Sequence, residues 1–250
     1  MCLIVLAYKV HPAFPLIVAA NRDEFLDRPT KPLHVWEDFP HILAGRDERG
    51  GGTWMGMSTT GRFAALTNHR DLRRAQVAGP SRGVLVQHVL QQELGDPDTS
   101  LYAGFNLLHG RYDSLFYHNN ITGVHHALDP GIHGLSNHLL NTPWPKVQRA
   151  KAALSEVLLS DVPSTEYLFA LLADETLAPD HALPDTGIGL PWERILSPVR
   201  IRAEGYGTRS SSVLVVDAHG VARFAERSFF PEEERVHSLR VRHEAESPEA

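Results

Sequence analysis

The sequence predicts an α+β chain in which sheets are stacked between helical layers. Three observations carry this. Strand-like runs near both ends are apolar on both faces, which a strand adopts when covered on both sides. The helix-like segments fall mainly in the middle of the chain. No internal repeat and no linker divides the sequence into two cores.

The elements follow in order. Leu3–Val10 and Leu16–Asn21 are β-type runs, separated by "HPAFP", whose two prolines suit a turn. "RPTKPLHVWEDFP" is a proline-punctuated loop. "WMGMSTTGRFAALTN" reads as a hairpin turning at Thr59-Thr60-Gly61, with a strand at Phe63–Thr67. Gly50-Gly51-Gly52 lacks the Lys-Ser/Thr ending and following helix of a phosphate loop, so close backbone approach is its expected use. "SRGVLVQHVLQQEL" fits an amphipathic helix from Ser81. Phe105–His109, Ser114–His118 and His125–Leu128 read as successive strands. Helices are expected from near Pro143 and over Tyr167–Leu172, followed by a Gly- and Pro-rich loop, "PDTGIGLPWERILSP". Strands close the chain at Arg200–Thr208, Ser212–Asp217 and Val221–Glu226, the last two joined by the turn "DAHG". The expected domain spans 1–231, and 232–250, charged and apolar-poor, reads as a disordered tail.

Composition narrows the function classes. Of 250 residues 42% are hydrophobic and 22% charged, with a net charge of −6. A nucleic-acid surface needs clustered excess Lys and Arg, so no nucleic-acid partner is expected. The apolar run "LIVLAY" is too short for a signal peptide, and no stretch approaches the ~20 apolar residues of a membrane span. The single cysteine excludes an internal disulfide and suits a reducing compartment. The expectation is a cytoplasmic protein beginning at its own first strand, with no feature that specifies an oligomeric state.

That cysteine is Cys2. Removal of Met1 would give it a free α-amine, whose ordinary pKa of about 7.7–8 leaves a neutral fraction at cellular pH. The amine can take the thiol's proton, making one residue both nucleophile and base. The alternative is a buried apolar cysteine on a core strand. In "NRDE", alternation puts Asn21 and Asp23 on one face and Arg22 and Glu24 on the other. Asp23 can orient an N-terminal amine while Arg22 supplies positive charge, or the four residues are simply a strand end entering solvent. Asn68 and Asn137 each close an apolar strand and can donate to a developing oxyanion, although Asn also favours strand ends. Arg209, in "GYGTRSSS", is a structural charge or a site cation.

The motifs "MC", "AANRDEF", "GGTWMGMSTTGRFAALTN", "PSRGVLV", "FNLL", "GLSNHLLNTPWPKV" and "YGTRSSSV" resemble the NRDE family, also called the transport and Golgi organisation protein 2 family. The resemblance covers about residues 1–230. It implies the four-layer αββα sandwich of N-terminal-nucleophile hydrolases. By similarity to their cysteine members, such as penicillin V acylase, it implies Cys2 as nucleophile and Asp23 as amine-orienting acid. It further implies Asn68 and Asn137 as oxyanion residues and Arg209 as the late cation. Those acylases place Arg three residues before the Asp, where this chain has Ala20; Arg22 is instead adjacent to Asp23. Asn21, Arg22, Glu24, Trp54 and His69 are the accompanying binding candidates. The implied activity is hydrolysis of an amide or thioester of a small acyl compound, which needs no cofactor. The alternative is a non-catalytic intracellular carrier of haem or acyl-coenzyme A, with haem taking His or Cys as axial ligand. His69, His133 and His138 lie near the site motifs, and "VHHAL" lacks zinc-type spacing, so no metal is expected.

Overall fold

The computed structural model describes residues 2–74, 78–91, 98–160 and 162–242. Its elements in chain order begin with β1 (Cys2–Tyr8), β2 (Leu16–Phe25), β3 (Thr30–Val35), β4 (Ile42–Asp47), β5 (Met55–Ser58), β6 (Arg62–Asn68) and α1 (Gly83–Leu90). The middle holds β7 (Phe105–Arg111), β8 (Ser114–Asn119), β9 (Val124–Ala127), β10 (Gly131–Leu135), α2 (Pro145–Val157), α3 (Thr165–Leu172) and α4 (Leu190–Ile195). The chain ends with β11 (Arg202–Ala203), β12 (Tyr206–Val216), β13 (Val221–Phe229) and β14 (Glu232–Arg240).

Among the described residues the strands form two seven-stranded sheets, ordered β10-β1-β2-β12-β13-β14, with β11 added on β12, and β3-β4-β5-β6-β7-β8-β9. All the pairings are antiparallel.

Alternation along β1 and β2 builds the layers. Ile4, Leu6, Val18 and Ala20 point between the sheets and meet Met57, Phe63, Leu108 and Tyr117 of the second sheet. Leu3, Val5, Ile17 and Ala19 point the other way, onto Val147 and Leu154 of α2 and Leu168 and Leu172 of α3. On the outer face of the second sheet, Ala64, Leu66 and Phe105 pack on Leu85, Val86 and Val89 of α1. The result is the αββα sandwich that the two-faced apolar strands predict. No helix among the described residues is long and apolar enough to cross a membrane.

Four segments differ from the sequence reading. "RPTKPLHV" contains a strand, β3. It is an edge strand, where a proline without an N–H is tolerated, and its register shifts between Lys31 and His34. The loop "PDTGIGLPWERILSP" contains α4, with Pro191 in its first turn and Gly189 before it at φ 88°. The two strands expected over Arg200–Thr208 and Ser212–Asp217 are largely one, β12, with β11 as a short partner. The expected disordered tail begins instead as β14, paired with β13 along its whole length. Exposed and half-buried positions alternate along it, and Leu239 packs onto the inter-sheet core. Charge on an edge strand blocks unwanted pairing, which is why its composition resembles a tail. Residues 243–250 of that segment lie outside the described residues.

Candidate active site

The site forms where β1 and β2 emerge from the core. Cys2 pairs with Arg22 across the two strands. Both share the inter-sheet face of Ile4 and Ala20, and both line a cavity of about 510 Å³. The Arg22 guanidinium is 5% exposed. It donates to Thr30 Oγ1 at 3.0 Å, lies 4.0 Å from Asp47 and stacks 4.3 Å over the Trp54 ring. Gly45 makes room for that ring, since a Cβ there would lie 2.2 Å from it. Asp47 in turn takes a forked pair of hydrogen bonds from Arg28.

Asp23 has the opposite parity but, at the end of the layer, also borders the cavity. It is 1% exposed, and its Oδ1 accepts from the Thr208 hydroxyl at 2.7 Å. Burial pushes its pKa up, opposed by the Lys146 ammonium and the Thr208 hydrogen bond. Lys146, in the first turn of α2, is 2% exposed and donates to the Leu196 carbonyl at 3.0 Å. Burial lowers its pKa to about 8, with the Asp23 carboxylate pulling the other way. Beside it, Arg70 and Glu193 form a buried ion pair at 3.0 Å. The sequence reading missed this buried charge cluster: Lys146 read as part of an ordinary helix start, and Glu193 fell in "PDTGIGLPWERILSP", read as a loop.

The Cys2 thiol is pushed up by burial and by the Asp23 carboxylate. Arg22 and a hydrogen bond from the Asp23 backbone N–H act in the opposite direction without overcoming it. The sulfur therefore stays protonated unless a base is supplied nearby.

Asn68 closes β6 and lines the same cavity. Asn137 does not. It is fully buried, and its Nδ2 donates to the Asn68 carbonyl at 2.9 Å while its own carbonyl accepts from the Arg70 N–H at 2.7 Å. Next to it, Ser136 donates to the Cys2 carbonyl at 3.2 Å and accepts from Thr67 at 2.6 Å. The loop after β10 thus laces the end of β1 to the end of β6. Sequence reasoning put Asn137 on an oxyanion; here its amide is occupied in placing Asn68.

Arg209 also stands apart from the cavity. It sits at the register shift between Thr208 and Ser210, and its guanidinium donates to the carbonyls of Phe25, Leu26 and Phe230. A strand bulge turns a side chain away from the face that alternation assigns it. Asn21 is likewise committed: its Nδ2 donates to the carbonyls of Leu172 and Val199, and its Oδ1 accepts from Ser211. Glu24 lies on the cavity, 3.9 Å from Arg28. His69 lies outside the lining, its ring 5.1 Å from that of His138. Burial, then His138, lowers its pKa. No histidine is among the described residues lining the cavity. Among the described residues, no group of three or more His, Cys, Asp or Glu side chains is arranged to hold a metal.

The rest of the lining was not foreseen as part of the site. Arg49 and Gly50 of the loop after β4, and Ser81, Arg82 and Gly83 at the start of α1, line it. Gly52 realises the close approach expected of the glycine run, since a Cβ there would lie 2.3 Å from the Gly83 carbonyl carbon. The available signal was that "GGTW" and "PSRG" belong to the motifs that carry the family resemblance.

The family model described as Transport and Golgi organisation 2 matches residues 1–231. The chain belongs to that family. Among Transport and Golgi organisation 2 relatives, the Mus musculus homolog is 37% identical over 257 residues, covering 91% of this chain and 93% of the mouse protein. The Homo sapiens homolog is 37% identical over 258 residues, with 91% and 93% covered. Transport and Golgi organization protein 2 of Drosophila melanogaster is 24% identical over 265 residues, with 91% and 92% covered. A solved structure of the Caenorhabditis elegans N-acylethanolamine-hydrolyzing acid amidase ortholog superposes with a TM-score of 0.49 at 10% identity, covering 86% of this chain and 92% of that one.

Proposed function

We propose that this family member is a cysteine-dependent hydrolase of the N-terminal-nucleophile type, acting on an amide or thioester of a small acyl compound. The observation that supports the reading is the gathering of Cys2 from β1, the adjacent Arg22 and Asp23 from β2, and the distant Asn68 from β6 on one cavity.

The chemistry follows from those groups. Cleavage of the peptide bond before Cys2 frees its α-amine. The amine takes the thiol proton, and the sulfur attacks the acyl carbonyl carbon. The carbonyl π electrons move to oxygen, where Asn68 is placed to donate. Collapse expels the amine or thiol leaving group, which takes the proton from the α-ammonium. Water then attacks the acyl-sulfur bond with the α-amine as base, releasing acid and restoring the thiol. Asp23 holds the α-ammonium, and Arg22 favours the thiolate.

The test is mass spectrometry of the mature N-terminus followed by a panel of N-acyl amides and acyl thioesters. Turnover of at least one member, lost in Cys2→Ala, is the expected result. No Cys2-dependent turnover from a chain with a free Cys2 amine overturns the reading.

One observation favours the second reading, a non-catalytic carrier. The buried thiol has its pKa raised, so a chain that keeps the residue before Cys2 lacks an activated nucleophile. Haem or acyl-coenzyme A would then be held without turnover, and Cys2 is the cavity's candidate iron ligand. A Soret shift on haem titration that disappears in Cys2→Ala supports the haem form of this reading.

A further inference from the structure

The charges on the cavity wall do not balance: Arg22, Arg28, Arg49 and Arg82 line it with only three carboxylates, Asp23, Glu24 and Asp47. Asp47 is shared between Arg28 at 2.8 Å and Arg22 at 4.0 Å, and Glu24 lies 3.9 Å from Arg28. Asp23 is turned to Thr208 and the Lys146 cluster. Among the described residues, the side chains of the exposed Arg49 and the half-buried Arg82 have no carboxylate within 4.0 Å, although the Arg49 backbone N–H donates to Asp47 Oδ1 at 3.1 Å. Arg82 is half-buried, and among the described residues its guanidinium donates one hydrogen bond, from Nη1 to the Gly104 carbonyl at 3.1 Å. A half-buried guanidinium whose other donors are not taken up by the described residues is a ready partner for an anion in the cavity.

The two arginines flank a seam rather than standing apart. The loop carrying Arg49 packs directly on the segment carrying Arg82: a Cβ on Gly50 would lie 2.7 Å from Ser81 Oγ, and one on Gly52 would lie 2.3 Å from Gly83. Both sides of the seam, and Cys2, border the same cavity.

We propose that Arg49 and Arg82 form an anion subsite, and that the substrate is an acyl amide or thioester carrying a carboxylate that docks there. The inference rests on the hydrolase reading for its scissile bond, not for the subsite itself. A guanidinium fork matches the two oxygens of a carboxylate. The cavity of about 510 Å³ must hold both the scissile carbonyl beside Cys2 and this anionic end, which selects a compact acid.

The experiment separates binding from turnover. The full chain carrying Cys2→Ala is titrated with glutarate, its diamide glutaramide, and 3-phosphonopropionate, read by calorimetry and by intrinsic tryptophan fluorescence, to which Trp54 beside Arg22 contributes. Glutarate should bind and glutaramide should not, with affinity falling as salt rises. Arg82→Gln and Arg49→Gln should each weaken glutarate about tenfold, the effect of one charge-assisted pair. Arg194→Gln, whose partner Asp180 lies outside the cavity, should change nothing. Equal binding of diacid and diamide, or indifference to both arginine substitutions, overturns the subsite. Arginine-dependent binding of the phosphonate much tighter than glutarate overturns the choice of a carboxylate. Glutarate binding without Cys2-dependent turnover in the wild type leaves the subsite standing and removes the hydrolase reading.

Discussion

Cys2 and Arg22 are cross-strand partners on one cavity, and the Arg22 guanidinium is stacked 4.3 Å over the Trp54 ring. The cation beside the sulfur is thus fixed by stacking and by Thr30, rather than left to swing on a long side chain.

If the site works through the thiol, Cys2→Ala should abolish turnover, and Cys2→Ser should retain at most a trace because its hydroxyl is far less acidic. Both variants should fold, with a stability change of about 1–2 kcal/mol, since only one small group is altered. Steady-state rates and urea melts check this. Undiminished turnover in Cys2→Ala would remove the residue from the mechanism.

Arg22→Lys keeps the charge but loses the planar stack and the fork. Turnover should fall about tenfold or more, and stability by about 1–2 kcal/mol. Kinetics that match wild type would show that the stacked geometry is dispensable.

Asn137→Ala leaves the Asn68 carbonyl without its donor in a buried place, a cost of about 1–3 kcal/mol. Because Asn137 acts through Asn68, kcat should drop while KM changes little. A variant equally destabilised but with wild-type kcat would reduce Asn137 to a purely structural role.

His109, on the outer face of the second sheet, supplies a pH dependence. Burial, then the neighbouring His125 and His118, lowers its pKa to about 4, against about 6.5 in the unfolded chain. Between those values the unfolded state binds more protons, so stability rises with pH there. Acidification from about 6.5 to about 4 should therefore destabilise the protein, and His109→Gln should flatten that part of the curve. Urea midpoints across this range test it; parallel curves for the two proteins would refute the assignment.

Ending the chain at Pro231 should remove far more than a tail. β14 would be lost, with Leu239 and Val241 of the inter-sheet core. Each such side chain is worth about 1.5–3 kcal/mol when buried, so a large fall in melting temperature is expected. An unchanged melt would mean that β14 does not support the fold.

Much of this protein is legible in local order. Leu3–Tyr8 and Leu16–Ala20 are apolar at every position, and a strand with two apolar faces must lie between two layers. Asp23 and Asn68 are polar residues ending such strands, so their place at a layer's rim follows from the pattern alone. Cys2 was marked by its position and by being the single thiol.

What the pattern did not contain are the relationships made between distant segments. Arg22 serves the cavity although it stands beside Asp23, because the β1–β2 register aligns it with Cys2, and at the strand end residues of both parities reach the rim. Asn137 and Arg209 look like their counterparts in sequence. One spends its amide on Asn68, and the other is displaced by a bulge onto backbone carbonyls. Arg49 and Arg82 become neighbours of one cavity only when two glycines let a loop and a helix start touch. Alternation fixes a side chain's face within its own strand. Register, bulges and loop contacts are set by partners elsewhere in the chain, and those decide which faces meet.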